Sequence, residues 1–381
     1  MNGGAPPAAR RTIFIVCPGG LENGGGIGRM MGYFLQAKSA QGGPRYVVVD
    51  SRGKWYLGAS PRFKILSAAY LAGAVLRLVW GRFAAAPCLA HVNITGRGST
   101  LRKIVLLAVL RRIAMPYVLH VHEPDYAADF RARGKRMQAL VARAFQGAAA
   151  TIVLGQGDRA ALVPLLGLDA ARVHVLHNAV PDPRPVLPKP AHEGPCRILF
   201  LGYLGPRKGV PELLRALATQ PLAGLAWQLT LAGGGAVDEY RRLAEELGIG
   251  ARVVFPGWLD EAGVRAACAA ADILALPSHA EGMAMSVLEG MAHGLAVITT
   301  PVGAHAEIIE ADVHGVLVPP GDVPALAAAL RRLVTDPEER RRLQGAARQQ
   351  YEMALDVEIY ARRLVWVYER PGALPLDPAG A

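Results

Sequence analysis

The strongest constraint on how this chain can fold is its alternation of short β-branched runs with longer stretches of helical character. "TIFIVCP" (12–18), "YVVVD" (46–50), "CLAHVN" (88–93), "YVLHVH" (117–122), "TIVLG" (151–155) and "RVHVLHN" (172–178) form the first series. Short apolar runs separated by helices suit strands buried on both faces, which is the environment of a parallel sheet. A proline-rich break, "PDPRPVLPKPAHEGP" (181–195), reads as a linker. The alternation then restarts with "RILFLG" (197–202), "WQLTLAGGG" (227–235), "RVVFPG" (252–257), "ILALPS" (273–278) and "AVITTP" (296–301). The expected fold class is therefore α/β, with two Rossmann-like doubly wound domains at 1–184 and 185–355. The helical tail "VEIYARRLVWVYER" lies in a last segment, 356–381, expected to pack back toward the first domain. At 381 residues and 52% hydrophobic content, the chain can fill two cores.

Charge is divided unevenly between the halves. Residues 1–185 hold 24 Lys and Arg against 8 Asp and Glu, and residues 186–381 hold 18 against 23, within a net charge of +11. No acid occurs between Asp50 and Glu123, an interval with 11 basic residues. Such a field attracts phosphate in nucleic acid, in anionic lipid or in a diphosphate substrate. A nucleic-acid partner is not expected, because aromatic stacking platforms and known motifs are lacking. Cys17, Cys88, Cys196 and Cys268 are scattered without CxxC or metal-ligand spacing and read as free, reduced thiols. "MNGGAPPAARR" has no apolar signal core and reads as a flexible tail before a cytoplasmic protein. "ILSAAYLAGAVLRLVW" (65–80) is interrupted by Arg77 and falls short of the roughly 20 apolar residues of a membrane span.

Open parallel sheets bind ligands beyond the carboxyl ends of their strands, so the informative loops are those directly after each run. After the first run, Gly24, Gly25, Gly26 and Gly28 precede a helical pattern. Amides freed of side chains at a helix start can form an anion site, although a glycine cluster can equally be a turn. Asp50 invites a dinucleotide reading, which fails on spacing: Arg29 or Met31 falls in the third glycine position. In "FLGYLGPRKGV" (200–210), Arg207 and Lys208 sit just before a helix, a pairing that suits a diphosphate or a solvated basic turn. In "EGMAMSVLEGMAHG" (281–294), Glu281 and Glu289 lie eight positions apart in an apolar context. Buried carboxylates need a partner or a ligand. A helix beginning near Ala284 would aim the amides of Met285, Ser286 and Val287 at the same crevice. Eight helical residues span about 12 Å, beyond the roughly 5–9.5 Å between glycosidase carboxylates, so two contacts on one extended polyhydroxylated ligand fit better.

The order and spacing of these segments resemble the retaining family-4 glycosyltransferases of the GT-B fold. The resemblance rests on the glycine loop, the histidine after the fourth run, "HNAV" (177–180), "GYLGPRKG", "FPGWLD" (255–260), Glu-x7-Glu and "HGVLVPPGD" (314–322). It implies two Rossmann-like domains facing each other across a deep cleft, with closure excluding water. It also implies transfer of a sugar from a nucleotide-sugar donor, most often a UDP-sugar, with retention of configuration. Glu281 would contact the transferred sugar, Glu289 the ribose and Lys208 the diphosphate. Arg207, Tyr203, Gly282, Met285, Ser286 and Val287 would complete the donor side. Gly25 and Gly26, with Arg29 nearby, would face the acceptor, and His122 would stand next to the reacting centre, in preference to His120. No cofactor is implied, and without an Asp-x-Asp the reaction is expected to be metal-independent. Two positions depart from the family: Tyr203 stands where arginine is usual, and Asn178-Ala179 replaces Asn-Gly.

The acid-free interval contains two apolar segments edged by cations, 63–83 and 101–116. In the second, Arg102 and Lys103 precede the apolar run and Arg111 and Arg112 follow it, as in a helix lying on a membrane with snorkelling ends. Crossover helices that simply bury an apolar face would also look apolar. The membrane reading gives a peripheral enzyme on the inner face of the membrane, with a lipid-linked saccharide or glycolipid acceptor in cell-surface polysaccharide synthesis. The alternative is a catalytically silent GT-B protein that binds anionic membranes or a partner, against which Glu281, Glu289 and Lys208 argue.

Overall fold

The structure, a computed structural model, describes residues 10–22, 25–53, 61–85, 87–96, 98–184 and 194–372. Most of the expected N-terminal tail, Gly24, linker residues 185–193 and the chain end from residue 373 lie outside the described residues. The chain divides into two compact units, residues 1–177 with 357–381, and residues 178–356.

The first unit is built on β1 (Thr12–Cys17), β2 (Arg45–Asp50), β3 (Cys88–Ile94), β4 (Tyr117–Val121), β5 (Ala150–Val153) and β6 (Val173–Val175). They form one parallel sheet in the order β2-β1-β3-β4-β5-β6. The second unit holds β7 (Cys196–Leu201), β8 (Trp227–Ala232), β9 (Val253–Gly257), β10 (Ile273–Leu276), β11 (Ala296–Thr299) and β12 (Val316–Leu317), in the order β12-β11-β10-β7-β8-β9. The strand order reverses between β1 and β3 in one unit and between β7 and β10 in the other, and each reversal opens a crevice at the carboxyl ends. β7 and β10 are the strands that lead into the Lys208 and Glu281 loops. β12 has no counterpart among the sequence runs; its two residues pair only with β11.

The boundary falls after His177 rather than at the expected 184. Residues 178–184 belong to the second unit because their bonds run there. The Asn178 amide donates to the Met283 carbonyl at 3.1 Å, Val180 N–H to Leu355 O at 3.2 Å, and Arg348 binds Asp182 at 3.0 Å. The helix Val357–Glu369 belongs to the first unit, where Glu358 accepts the backbone N–H groups of Lys38 and Ser39, each at 2.8 Å.

A second correction concerns the helix Gly98–Arg112. It buries Leu106, Leu107 and Leu110 in the first core, as a crossover helix does. Lys103 turns inward with them: it is 1% exposed, and its ammonium donates to Ser51 Oγ at 2.7 Å. Burial pushes its pKa down to about 7. Lys103 is therefore not a snorkelling cation, whereas Arg111 and Arg112 are exposed. Among the described residues, no helix is long and apolar enough to cross a membrane. All four cysteines are buried, and none is in a disulfide.

His91 on β3 and His120 on β4 are fully buried, with His120 Nδ1 3.3 Å from His91 Nε2 and His91 Nδ1 2.6 Å from the Tyr368 hydroxyl. Burial pushes His91 down to about 3 and His120 well below the ordinary 6.5, so both are neutral in the fold. The unfolded chain takes up protons on them below pH 6.5 while the folded chain does not. Stability of the first unit should therefore fall on acidification, by up to about 1.4 kcal/mol per pH unit for each histidine. Urea denaturation from about pH 7 to about pH 4.5 should show this loss, reduced in slope by close to one proton in His120→Gln. An unchanged slope in that variant would mean that His120 is already protonated in the folded protein.

Candidate functional site

In the second unit the loops after β7 and β10 are bound to each other along their length. Gly205 ends the extended segment, Pro206–Lys208 makes a single 3-10 turn, and the helix Val210–Leu217 follows. His279 N–H donates to Arg207 O at 2.8 Å, and the Arg207 guanidinium donates to Ala280 O. His279 Nε2 lies 3.1 Å from Glu212 Oε1 on the next helix. Gly209, at φ +73°, lies so close to β10 that a Cβ there would stand 2.0 Å from Pro277 O. Only glycine allows both the left-handed backbone and this approach.

The result is a close pair of opposite charges. Lys208 Nζ is 2.6 Å from Glu281 Oε1, and Arg207 is 3.6 Å from the same oxygen. Glu281 is 7% exposed, while the Arg207 side chain is 57% exposed. Among the described residues Oε1 accepts no well-aligned hydrogen bond, so the ammonium neutralises its charge without saturating its lone pairs.

Behind Glu281, the loop after β11 straps the segment in place. Ala304 N–H donates to Gly282 O at 2.9 Å, and Thr300 Oγ1 donates to Ser278 O at 2.6 Å. A Cβ on Gly303 would stand 2.2 Å from the carbonyl oxygens of both Glu281 and Gly282. His305 fixes the start of the next helix: Ala284 N–H donates to its Nε2 at 3.1 Å, and its Nδ1–H donates to Thr300 O at 3.1 Å. Burial lowers the pKa of His305 and favours the neutral ring that this pair of bonds requires. Neither His305 nor Gly303 stands out in the sequence, because the loop that each one holds lies about 20 residues earlier in the chain.

The helix runs Met285–Ala292, with Ala284 as an N-cap that has no side chain to satisfy the first amides. Its start adjoins the Glu281 loop; the Val287 N–H is taken up by Ala284 O at 3.1 Å, so the amides that the missing cap leaves for a ligand are those of Met285 and Ser286. Glu289 lies inside this helix, 5% exposed and held by contacts within the fold. Tyr203 is 67% exposed, its ring beside Gly205. Trp258, in the "FPGWLD" loop after β9, is 69% exposed.

In the first unit, Gly25 and Gly26 open the exposed start of the helix Gly25–Gln36, and Arg29 lies in its second turn, half-buried and bonded within the fold. Asp50 Oδ1 accepts the N–H groups of Gly19 (2.8 Å), Arg52 (2.9 Å) and Gly53 (3.0 Å), so its work is to shape two loops. His122 follows β4, half-buried, with Nε2 2.8 Å from Asn93 Oδ1. The Asn93 amide nitrogen donates to Val16 O at 3.2 Å, so its oxygen must accept, and His122 carries its proton on Nε2. Nδ1 is left as an acceptor on a ring that burial keeps neutral, with a pKa near about 3. Among the described residues no group of three or more His, Cys, Asp or Glu side chains is arranged to hold a metal ion.

Residues 188–350 match the family model for glycosyl transferases group 1. The 2-deoxystreptamine N-acetyl-D-glucosaminyltransferase of Streptomyces fradiae is 30% identical over 302 residues, covering 74% of this chain and 70% of that protein. The glycogen synthase of Mycobacterium tuberculosis is 30% identical over 209 residues, covering 54% of this chain but only 50% of that enzyme. Among solved structures, sucrose-phosphate synthase from Thermosynechococcus elongatus superposes with a TM-score of 0.73 at 21% identity, covering 95% of this chain and 99% of that one. Anabaena HepE, solved in complex with UDP, gives 0.73 at 19% identity, covering 94% and 99%. These structural likenesses establish the GT-B fold. With the family match and the Streptomyces relative, they make this chain a member of the group 1 glycosyltransferases.

Proposed function

We propose that the protein transfers a hexose from a nucleotide-sugar donor, a UDP-sugar in the first instance, to a saccharide or lipid-linked acceptor with retention of configuration. The observation that carries this reading is the Lys208–Glu281 pair at the carboxyl ends of β7 and β10, beside an uncapped helix start. A diphosphate needs cations and amides converging on its oxygens, and a sugar needs an acceptor for its hydroxyls; the pair supplies both within 2.6 Å. HepE has been solved with UDP and with UDP-glucose, which favours the same donor class here.

On this reading Lys208, Arg207 and the amides of Met285 and Ser286 stabilise the negative charge that grows on the departing diphosphate. Glu281 accepts hydrogen bonds from sugar hydroxyls and holds the anomeric carbon in place, while Glu289 binds the ribose. Tyr203 packs on the donor where an arginine is usual. Gly282 keeps the Glu281 loop close to the strap from β11. Gly25 and Gly26, with Arg29, contact the acceptor, and His122 offers Nδ1 to a hydroxyl near the reacting centre. Positive charge for the leaving group comes from side chains and amides, with no metal or cofactor required. The basic charge of the first unit favours a peripheral position on the cytoplasmic face of an anionic membrane and, with it, a lipid-linked acceptor in polysaccharide or glycolipid assembly.

Incubation with a panel of nucleotide sugars, scored by release of free nucleotide, tests the donor directly. With the accepted donor, Glu281→Gln should melt close to wild type yet lose roughly a hundredfold or more in turnover, because charge-assisted bonds made in the transition state are lost. Glu289→Ala should instead lower kcat/KM for the donor by about ten- to a hundredfold. Wild-type turnover in the first variant would rule out the proposed sugar contact. Lys208→Ala should cost more activity than Arg207→Ala, since Lys208 stands 2.6 Å and Arg207 3.6 Å from Glu281. The opposite ranking would make the exposed arginine the principal diphosphate ligand.

A further inference from the structure

The helix Pro61–Ala84 of the first unit has an unusual outer face. Ala74, Leu78 and Gly81 are buried toward the sheet. On the opposite side Leu76, Trp80 and Phe83 are exposed, at 70%, 76% and 76%, while Leu66 and Tyr70, at 43% and 42%, lie at the edge of this face. Positions 76, 80 and 83 fall on one stripe of an α-helix. Arg77 is the one charged residue among the exposed positions of this helix from 66 to 84. A crossover helix normally turns polar residues outward, so this face is built for a partner.

We propose that this face docks on an anionic lipid bilayer, with Leu76, Trp80 and Phe83 entering the boundary between headgroups and acyl chains. This deepens the proposed function, on whose membrane-side acceptor it rests. Three observations favour lipid as the occupant. Trp80 and Tyr70 combine an apolar ring with a polar edge, the side chains found at membrane interfaces. The helix Gly98–Arg112 packs beside this one and adds exposed Leu101 and Val105, at 53% and 52%, together with exposed Arg111 and Arg112. No acid lies anywhere from Ser51 to His122. A second copy of the chain pressed against this face would therefore bring cations against cations, whereas anionic headgroups complement them. A mostly apolar cleft of about 410 Å³ adjoins the face, between Tyr70, Gly73 and Arg77 on the helix and Val49 and Asp50 of β2, with room for part of a lipid chain.

The geometry also shifts the weight of the interaction. Lys103 is buried, so docking depends on apolar insertion at Leu76, Trp80 and Phe83, with Arg77, Arg111 and Arg112 adding attraction. Insertion is insensitive to salt while headgroup attraction is screened, so binding should weaken but persist as salt rises.

The test uses the full chain with vesicles of phosphatidylcholine alone or mixed with phosphatidylglycerol. Co-sedimentation should be several-fold stronger with phosphatidylglycerol than with phosphatidylcholine alone. Bromine-labelled lipid should quench tryptophan fluorescence in the wild type and much less in Trp80→Phe, which should still bind. The double variant Trp80→Glu, Phe83→Glu should lose at least about tenfold in binding, against a smaller loss in Arg111→Glu, Arg112→Glu. Release of nucleotide from the donor in the absence of lipid should be unchanged in all of them. Quenching that Trp80→Phe leaves untouched, full binding by the double glutamate variant, or a dimer in place of vesicle binding would each overturn the proposal. If vesicle binding follows this pattern but no nucleotide sugar is turned over, the docking face stands and the transfer reading fails.

Discussion

Much of the second unit can be understood as the support for one carboxylate. Glu281 is 7% exposed on a loop, where an ionised side chain is tolerated only if its charge is answered. Lys208 answers it from the neighbouring loop, and that pairing requires the loops after β7 and β10 to run side by side. Strand order makes them neighbours, because the sheet reverses its winding between these two strands. Close approach then demands glycine where the loops meet, at Gly209 against Pro277 and at Gly303 against Glu281 and Gly282. Desolvation of both charges offsets most of their attraction, so a buried pair gains little over well-packed apolar side chains of the same volume, and the arrangement adds little stability for what it demands. Its value lies in holding a cation and an acceptor of hydrogen bonds a fixed short distance apart.

The first unit keeps its polar groups at the same edge of the sheet but in neutral form. Asn93 ties the ends of β1 and β4 together by donating to Val16 O and accepting from His122, and that single amide fixes the His122 proton on Nε2. His120, His91 and Tyr368 continue the polar line inward, from β4 through β3 to the helix Val357–Glu369. The last helix of the chain is therefore part of the hydrogen-bonded interior of the first unit and not an appendage to the second.

Eleven of the twelve strands were legible as short β-branched runs: the central ones are covered on both faces and give a continuous apolar signal, while the partly exposed edge strands β2 and β9 keep enough valines to stand out. β12 was not, since two residues paired on one side carry no periodicity. The loops that hold Lys208 and Glu281 were legible because charges and glycines are rare at the ends of buried strands. His305 was harder to see: its role is to accept one amide 21 residues earlier in the sequence, and nothing local to "GAHAE" reports that. The domain boundary was misplaced by seven residues for a related reason. The prolines of 181–195 mark a change of composition, while the boundary is set by what Asn178, Val180 and Asp182 bind.

The acid-free interval illustrates how one compositional signal can serve opposite environments. Lys103 and Arg111 lie eight residues apart on one helix, and sequence alone cannot say which meets water. The structure separates them: Lys103 is buried against Ser51, with Asp50 among the charges that favour its protonated form, and Arg111 is exposed. An acid elsewhere in the interval could have balanced the buried ammonium, yet none is present, and the nearest carboxylate, Asp50, already accepts three amides. Interior packing thus gives no reason for excluding acids from the exposed positions of these two helices. The exclusion falls on the outer surface, where Leu76, Trp80 and Phe83 are also exposed, and under the docking proposed above an acid there would repel the anionic headgroups that the neighbouring arginines attract.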